Sequence, residues 1–206
     1  MPRVDSRRAR TSTREDSGWT GALGQTLGVE AVPTVADGRS VGAAGCCTHS
    51  QCPYCGRYAR ETYARIQEDL VRPGIADSVF RNCPLDSIHP LAAKAAEAAE
   101  CAGEHGEFLE VHDRLVSNQK QLDLTDLVSH ALALGLDQRG FETCLDGRMT
   151  NRVRDDQSEG KRLGVKATPT FMIGVPKSNG KISVVRKIDG AQPYEAFRST
   201  IDALLH

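Results

Sequence analysis

Along residues 53–70, apolar positions recur at Cys55, Ala59, Tyr63, Ile66 and Leu70, the spacing of one stripe on a helix. Arg57, Arg60, Glu61, Arg65 and Glu68 fall elsewhere and are expected to face solvent, and Arg72-Pro73-Gly74 ends the element. Residues 75–85 (IADSVFRNCPL) suit a short strand closed by Pro84. Pro90 opens an alanine-rich helix to about Ala102, and further helices are expected over 108–116, 126–134, 141–145 and 151–163. Asp137 suits an N-cap, and Gly135 and Gly164 suit helix ends. The pattern then turns to β: TFMIGV (170–175) and KISVVRKI (181–188) flank Ser178-Asn179-Gly180, a hairpin signal because Asn-Gly tolerates positive φ. Pro193 opens a last helix with Phe197, Ile201, Leu204 and Leu205 on one face. Helix, strand, several helices, hairpin and helix describe a small α/β sheet protein interrupted by an all-helical insertion.

Residues 1–45 lack such a pattern and read as poorly structured. The basic start MPRVDSRRARTSTRED has no apolar region behind it, so it does not read as an ordinary secretory signal. Arg7-Arg8 resembles a twin-arginine signal only in part, since Arg14, Glu15 and Asp16 interrupt what should follow. Of 206 residues, 39% are hydrophobic and 26% charged, and the formal net charge is −1. That balance suits one globular domain with a substantial core and provides no field to draw in nucleic acid.

Seven cysteines are many for a chain of this size and point to thiol chemistry or an oxidising compartment. Four of them crowd into GCCTHSQCPYC, residues 45–55. One reading is a zinc site built from Cys46 or Cys47 with His49, Cys52 and Cys55. The other is a redox pair. Cys52 lies at the start of the first expected helix, where free backbone N–H groups and the helix dipole favour thiolate. Cys55, one turn later on the apolar stripe, is expected to be shielded and less reactive. An exposed attacker and a buried resolver are what dithiol exchange requires. Thr168-Pro169 directly precedes a strand, and a cis bond there would bring the Thr168 backbone beside the two cysteines. In the helical region Cys101 and Cys144 are either two small buried hydrophobes or a structural disulfide.

CPYC, FRNCPLDSIHPLAAKAAEAAECA, GEFLEVHDRLVSNQ, GVKATPTFMIG and GAQPYEAFRSTIDALL, in that order, resemble the DsbA/DsbG-type thiol–disulfide oxidoreductases from Gln51 to Leu205. The resemblance implies a thioredoxin-like fold with an inserted all-helical subdomain: residues 46–88 and 164–206 form the thioredoxin-like part and 89–163 the insertion. It implies Cys52 as nucleophile, Cys55 as resolving cysteine and Pro169 as a cis-proline preceded by Thr168. Pro53, Tyr54, Thr168 and Pro169 would meet the substrate. No cofactor is required, protein thiols and disulfides are the substrates, and a membrane or soluble redox partner is implied. By the same resemblance the location is periplasmic or otherwise extracytoplasmic. A glutathione-dependent enzyme on the same fold is the alternative that CPYC also fits. Upstream of Gln51 the family carries an apolar, aromatic-rich strand where this chain has GRSVGAAGCCTHS, so the sheet is expected to lack a member.

Overall fold

The computed structural model describes residues 26–28, 43–176 and 181–205. Among these residues a five-stranded sheet is formed by β1 (Thr26–Gly28), β2 (Ala43–Thr48), β3 (Asp77–Asn82), β4 (Thr170–Pro176) and β5 (Lys181–Asp189). The strand order is β1-β5-β4-β2-β3, with β2 and β3 parallel and the remaining pairs antiparallel. β2 leads into α1, a continuous helix over 53–71 that contains two π-type turns, Ala59–Tyr63 and Gln67–Val71. Between β3 and β4 lie α2 (Ala92–Gly103), α3 (Phe108–Ser117), α4 (Leu124–Leu132), α5 (Gln138–Leu145) and α6 (Thr150–Arg162). After β5 comes α7 (Tyr194–Leu205).

The expected missing member of the sheet is present, and it is β2. AAGCCT has no aromatic and little β propensity, yet it pairs on both sides, Cys46 opposite Phe80 on β3 and Phe171 on β4. Tertiary pairing overrides local propensity here, because a strand between two partners satisfies every ladder group while small side chains let flanking layers close in. β1 likewise lies in the segment read as unstructured, with Thr26 opposite Ser183. The Ser178-Asn179-Gly180 turn falls outside the described residues, as do 1–25 and 29–42. β4 and β5 nonetheless pair antiparallel from Thr170↔Asp189 to Pro176↔Ile182.

Two cores result. Ile66, Leu70, Tyr58, Phe171, Ile173, Phe197 and Ile201 pack α1 and α7 against one face of the sheet. The helical region has its own core, including Ala95, Ala99, Val111, Leu115, Leu127 and Phe141. Phe80 packs against both, its ring near those of Tyr63, Phe108 and His112. Asp137 caps α5 by accepting from Gly140 N–H at 2.7 Å. α4 begins earlier than its periodicity indicates, because Asp123 caps it through Asp126 N–H at 2.9 Å. Cys101 on α2 and Cys144 on α5 form a disulfide, with Cα atoms 5.9 Å apart.

Candidate active site

α1 starts where β2 ends, and Cys52 is its N-cap residue with extended backbone, φ −77° and ψ 121°. Pro53 at the first helical position has no N–H to leave unpaired, and its fixed φ suits the helix. The Cys52 carbonyl accepts the first helical bond from Gly56 N–H at 3.1 Å. Tyr58 fixes the helix over β4: its ring lies 4.6 Å from that of Phe171, which meets Phe197 edge-on at 4.7 Å. This stack places the first turn of α1 beside the entry to β4.

That entry is the Thr168–Pro169 peptide, which is cis. Its surroundings hold it firmly. Gly190 N–H donates to Pro169 O at 2.8 Å, and Thr170 Oγ1 bonds Ala167 O at 2.7 Å and Asp189 Oδ1 at 3.1 Å. Gly190 has φ +80°, a turn geometry that a side chain disfavours.

Cys52 Sγ lies 3.4 Å from Thr168 O across 116 residues of chain, and as a thiol it donates there. The Thr168 hydroxyl is buried with no other partner and faces the same sulfur. The Cys52 pKa is pulled down from 9.0 to about 5, first by the Cys55 thiol, then by the Thr168 hydroxyl and by the N–H groups of Cys55 and Tyr54, all against the cost of burial. Burial pushes Cys55 the opposite way, and its bond to the Cys52 sulfur adds to this, although the Thr48 hydroxyl partly offsets it. The expected contrast of an exposed attacker with a buried partner is corrected: Cys52 is 4% exposed and Cys55 2%. The difference between the two sulfurs is electrostatic, because Thr168 covers Cys52 while leaving it charged. Tyr54 is 57% exposed, and Arg57 lies over its ring at 5.4 Å. Pro53 is exposed too. The two residues between the cysteines therefore form the outer surface of the site.

The zinc alternative finds no matching geometry. Cys46 points into the α1/α7 core, whereas Cys47 and Cys83 occupy the opposite side against Gly160 of α6. Among the described residues no group of three or more His, Cys, Asp or Glu side chains could hold a metal ion. The His89 ring packs against that of His49 at 4.9 Å with a tilt of 51°, which sequence reasoning did not foresee. His49 is 2% exposed, and burial, with His89 next to it, lowers its pKa to about 4. The free thiols of Cys47 and Cys83 share a hydrogen bond, which with burial raises Cys83. Parallel pairing of β2 with β3 brings them together, and sequence alone did not reveal that pairing.

Residues 48–203 match the family model described as Thioredoxin. The chain belongs to the thioredoxin family. Its fold is that of DsbA-type proteins. Wolbachia pipientis alpha-DsbA1 superposes with a TM-score of 0.72 at 23% identity, covering 86% of this chain and 94% of that one. BdbD from Bacillus subtilis (oxidised) gives 0.66 at 20% identity, over 92% and 97%. Chlamydia trachomatis DsbA gives 0.67 at 17%, over 82% and 88%. Curated relatives of this thioredoxin-family chain include proteins named Na(+)/H(+) antiporter NhaA. The Salinispora tropica protein is 36% identical over 65% of this chain, and the one from Mycobacterium sp. (strain KMS) is 30% identical over 69%. The chain spans only 20% and 24% of those two proteins. Among the described residues no helix is long and apolar enough to cross a membrane.

Proposed function

We propose that this thioredoxin-family chain is a thiol–disulfide oxidoreductase that exchanges disulfides with protein substrates through Cys52 and Cys55. The observation that carries the reading is the geometry: the Cys52-Pro53-Tyr54-Cys55 turn opens α1 against the cis Thr168–Pro169 peptide, with Cys52 Sγ 3.4 Å from Thr168 O. Cys52 is held as thiolate by Cys55, Thr168 and two backbone N–H groups, while Cys55 is held protonated by burial.

In the oxidised protein a substrate thiolate attacks Cys52 Sγ. The Cys52–Cys55 bond breaks, Cys55 leaves with the electron pair, and a mixed disulfide joins Cys52 to the substrate. A second substrate thiolate then attacks its own mixed-disulfide sulfur, expelling Cys52 as a thiolate. The substrate gains a disulfide and the protein holds two thiols. In the opposite direction Cys52 attacks a substrate disulfide and Cys55 resolves the intermediate. A thiolate as stable as Cys52 makes a good leaving group and favours the reduced protein, which is the property of an oxidant. Thr168 and Pro169, beside the Cys52 sulfur, and Pro53 and Tyr54, on the surface, are the residues that meet the substrate chain. In this reading 46–88 and 164–206 carry the redox pair, 89–163 is the helical insertion, and the location is extracytoplasmic with a membrane or soluble redox partner.

The test is a glutathione redox titration with alkylation and mass spectrometry of the peptide containing both cysteines. A reversible two-electron transition is expected, together with catalysed oxidation of a reduced unfolded protein that Cys52→Ser abolishes. Turnover of a small glutathione mixed disulfide without activity on proteins would favour the glutathione-dependent alternative. Failure of the pair to form a disulfide would overturn the reading.

A further inference from the structure

The helical insertion reaches back to the CPYC segment through one side chain. Gln119 lies in the turn after α3, and its Nε2 donates to two backbone carbonyls at once, Ser50 O at 2.6 Å and Cys52 O at 2.7 Å. Both amide hydrogens are therefore used. The opposite amide orientation would set Oε1 against two carbonyl oxygens, so the hydrogen-bond sense assigns this one. The turn that carries Gln119 is itself fixed. Asn118 Nδ2 bonds Arg114 O at 2.7 Å, Gln121 N–H bonds Asn118 O at 2.8 Å, and a His130 ring nitrogen meets Gln121 O at 3.1 Å.

A second observation points to the same contact from the other side. Gly56 sits inside the first turns of α1, where glycine costs about 0.5–1 kcal/mol relative to alanine. A Cβ at this position would stand 2.7 Å from Gln119 Oε1 and 3.0 Å from its Cδ. The missing side chain at position 56 is what admits the amide.

The Cys52 carbonyl thus accepts from Gly56 N–H and from Gln119 together, and both its lone pairs are engaged. That fixes the Cys52–Pro53 peptide plane, from which the chain runs on to the Tyr54 and Cys55 N–H groups that reach the sulfur. It also sets two positive N–H ends against the Ser50 and Cys52 carbonyls, whose negative ends lie near a thiolate. We propose that Gln119 is a positioning residue for Cys52: clamping the Ser50 and Cys52 carbonyls from the helical insertion, it tunes the reactivity of the thiolate and the oxidising power of the Cys52–Cys55 couple. The inference rests on the thiol–disulfide reading above. Gln119 does not touch the sulfur, so its effect is carried by the backbone.

Gln119→Met keeps the length and removes both donors, while Gln119→Glu keeps the shape and places a carboxylate against two carbonyls. Gly56→Ala leaves the amide intact but displaces it, at low cost because the far end of a flexible side chain gives way. Two quantities are read on each variant: the pH profile of Cys52 alkylation, followed by mass spectrometry, and the equilibrium constant with glutathione. All three substitutions are expected to move the Cys52 titration upward and to make the disulfide less oxidising. The expected change in the glutathione equilibrium is about tenfold for Gln119→Met, corresponding to one pKa unit. Gln119→Glu is expected to show the larger shift. A purely structural contact would lower the unfolding midpoints of the dithiol and disulfide forms alike and leave both readouts within twofold of the unaltered protein. That result in Gln119→Met and Gly56→Ala overturns the inference. The unaltered protein in the same assay separates the two failures, because absence of any Cys52–Cys55 couple there sinks the thiol–disulfide reading itself.

Discussion

Acidification gives a sharp test of the charge on Cys52. Its pKa is about 5 in the fold against 9.0 for an ordinary thiol. A depressed value stabilises the folded dithiol form above pH 9, and the contribution is lost as pH falls through 5. At pH 7 about two of the four units are realised, a factor of about 100 or at most about 3 kcal/mol. Solvent screening at the mouth of the site brings the expected value to about 1–3 kcal/mol. By pH 4 it is essentially gone. Cys55, raised by burial, is protonated throughout this range and adds no slope. Other groups do titrate there, notably His49 with its pKa near 4, but they do so in both redox forms. The disulfide form is therefore an internal control, since its Cys52 cannot titrate. The assay is urea unfolding of dithiol and disulfide forms at pH 7 and pH 4. The dithiol form should lose about 1–3 kcal/mol more than the disulfide form. A difference below about 0.5 kcal/mol, within the error of extrapolation, would refute the thiolate assignment.

Other outcomes follow from the packing. Gly160→Ala would place a Cβ 2.9 Å from Cys83 Sγ and 3.3 Å from Cys47 Sγ, so overpacking of about 1–3 kcal/mol should exceed the helix gain of at most about 1 kcal/mol, seen as a lower thermal midpoint. Replacing Cys101 and Cys144 together by alanine removes a cross-link spanning 43 residues and should cost about 2–4 kcal/mol in denaturant unfolding, with the Cys52 alkylation profile unchanged. Asp123→Ala should cost about 1 kcal/mol through loss of the α4 cap, and an unchanged unfolding midpoint would rule the cap out as a determinant.

Helices with a clear apolar stripe, such as α1 and α7, were legible because their burial follows one-dimensional spacing. So was the β4–β5 pair, where two β-prone runs lie adjacent in sequence. β2 was not legible. Its residues are small, and what makes them a strand is the presence of partners on both sides. The early start of α4 was missed because a cap at Asp123 extends the helix beyond its periodic residues. In the candidate site, Cys52, Cys55, Thr168 and Pro169 were all named from sequence and stand together in the fold. The exposure of Cys52 was misjudged, since the cover over it is supplied from 116 residues away. Gln119 carried no signal of its own, because a glutamine in a turn after a helix is ordinary until the backbone opposite it is known.

The separation of Cys52 from Thr168 also orders events in time. At about 5–20 residues per second, a ribosome adds Thr168 about 6–23 s after Cys52. During that interval the growing chain holds Cys52 without the Thr168 hydroxyl, one of the groups that favour its anion. Only when β4 is laid beside β2 does Cys52 meet the Thr168 hydroxyl.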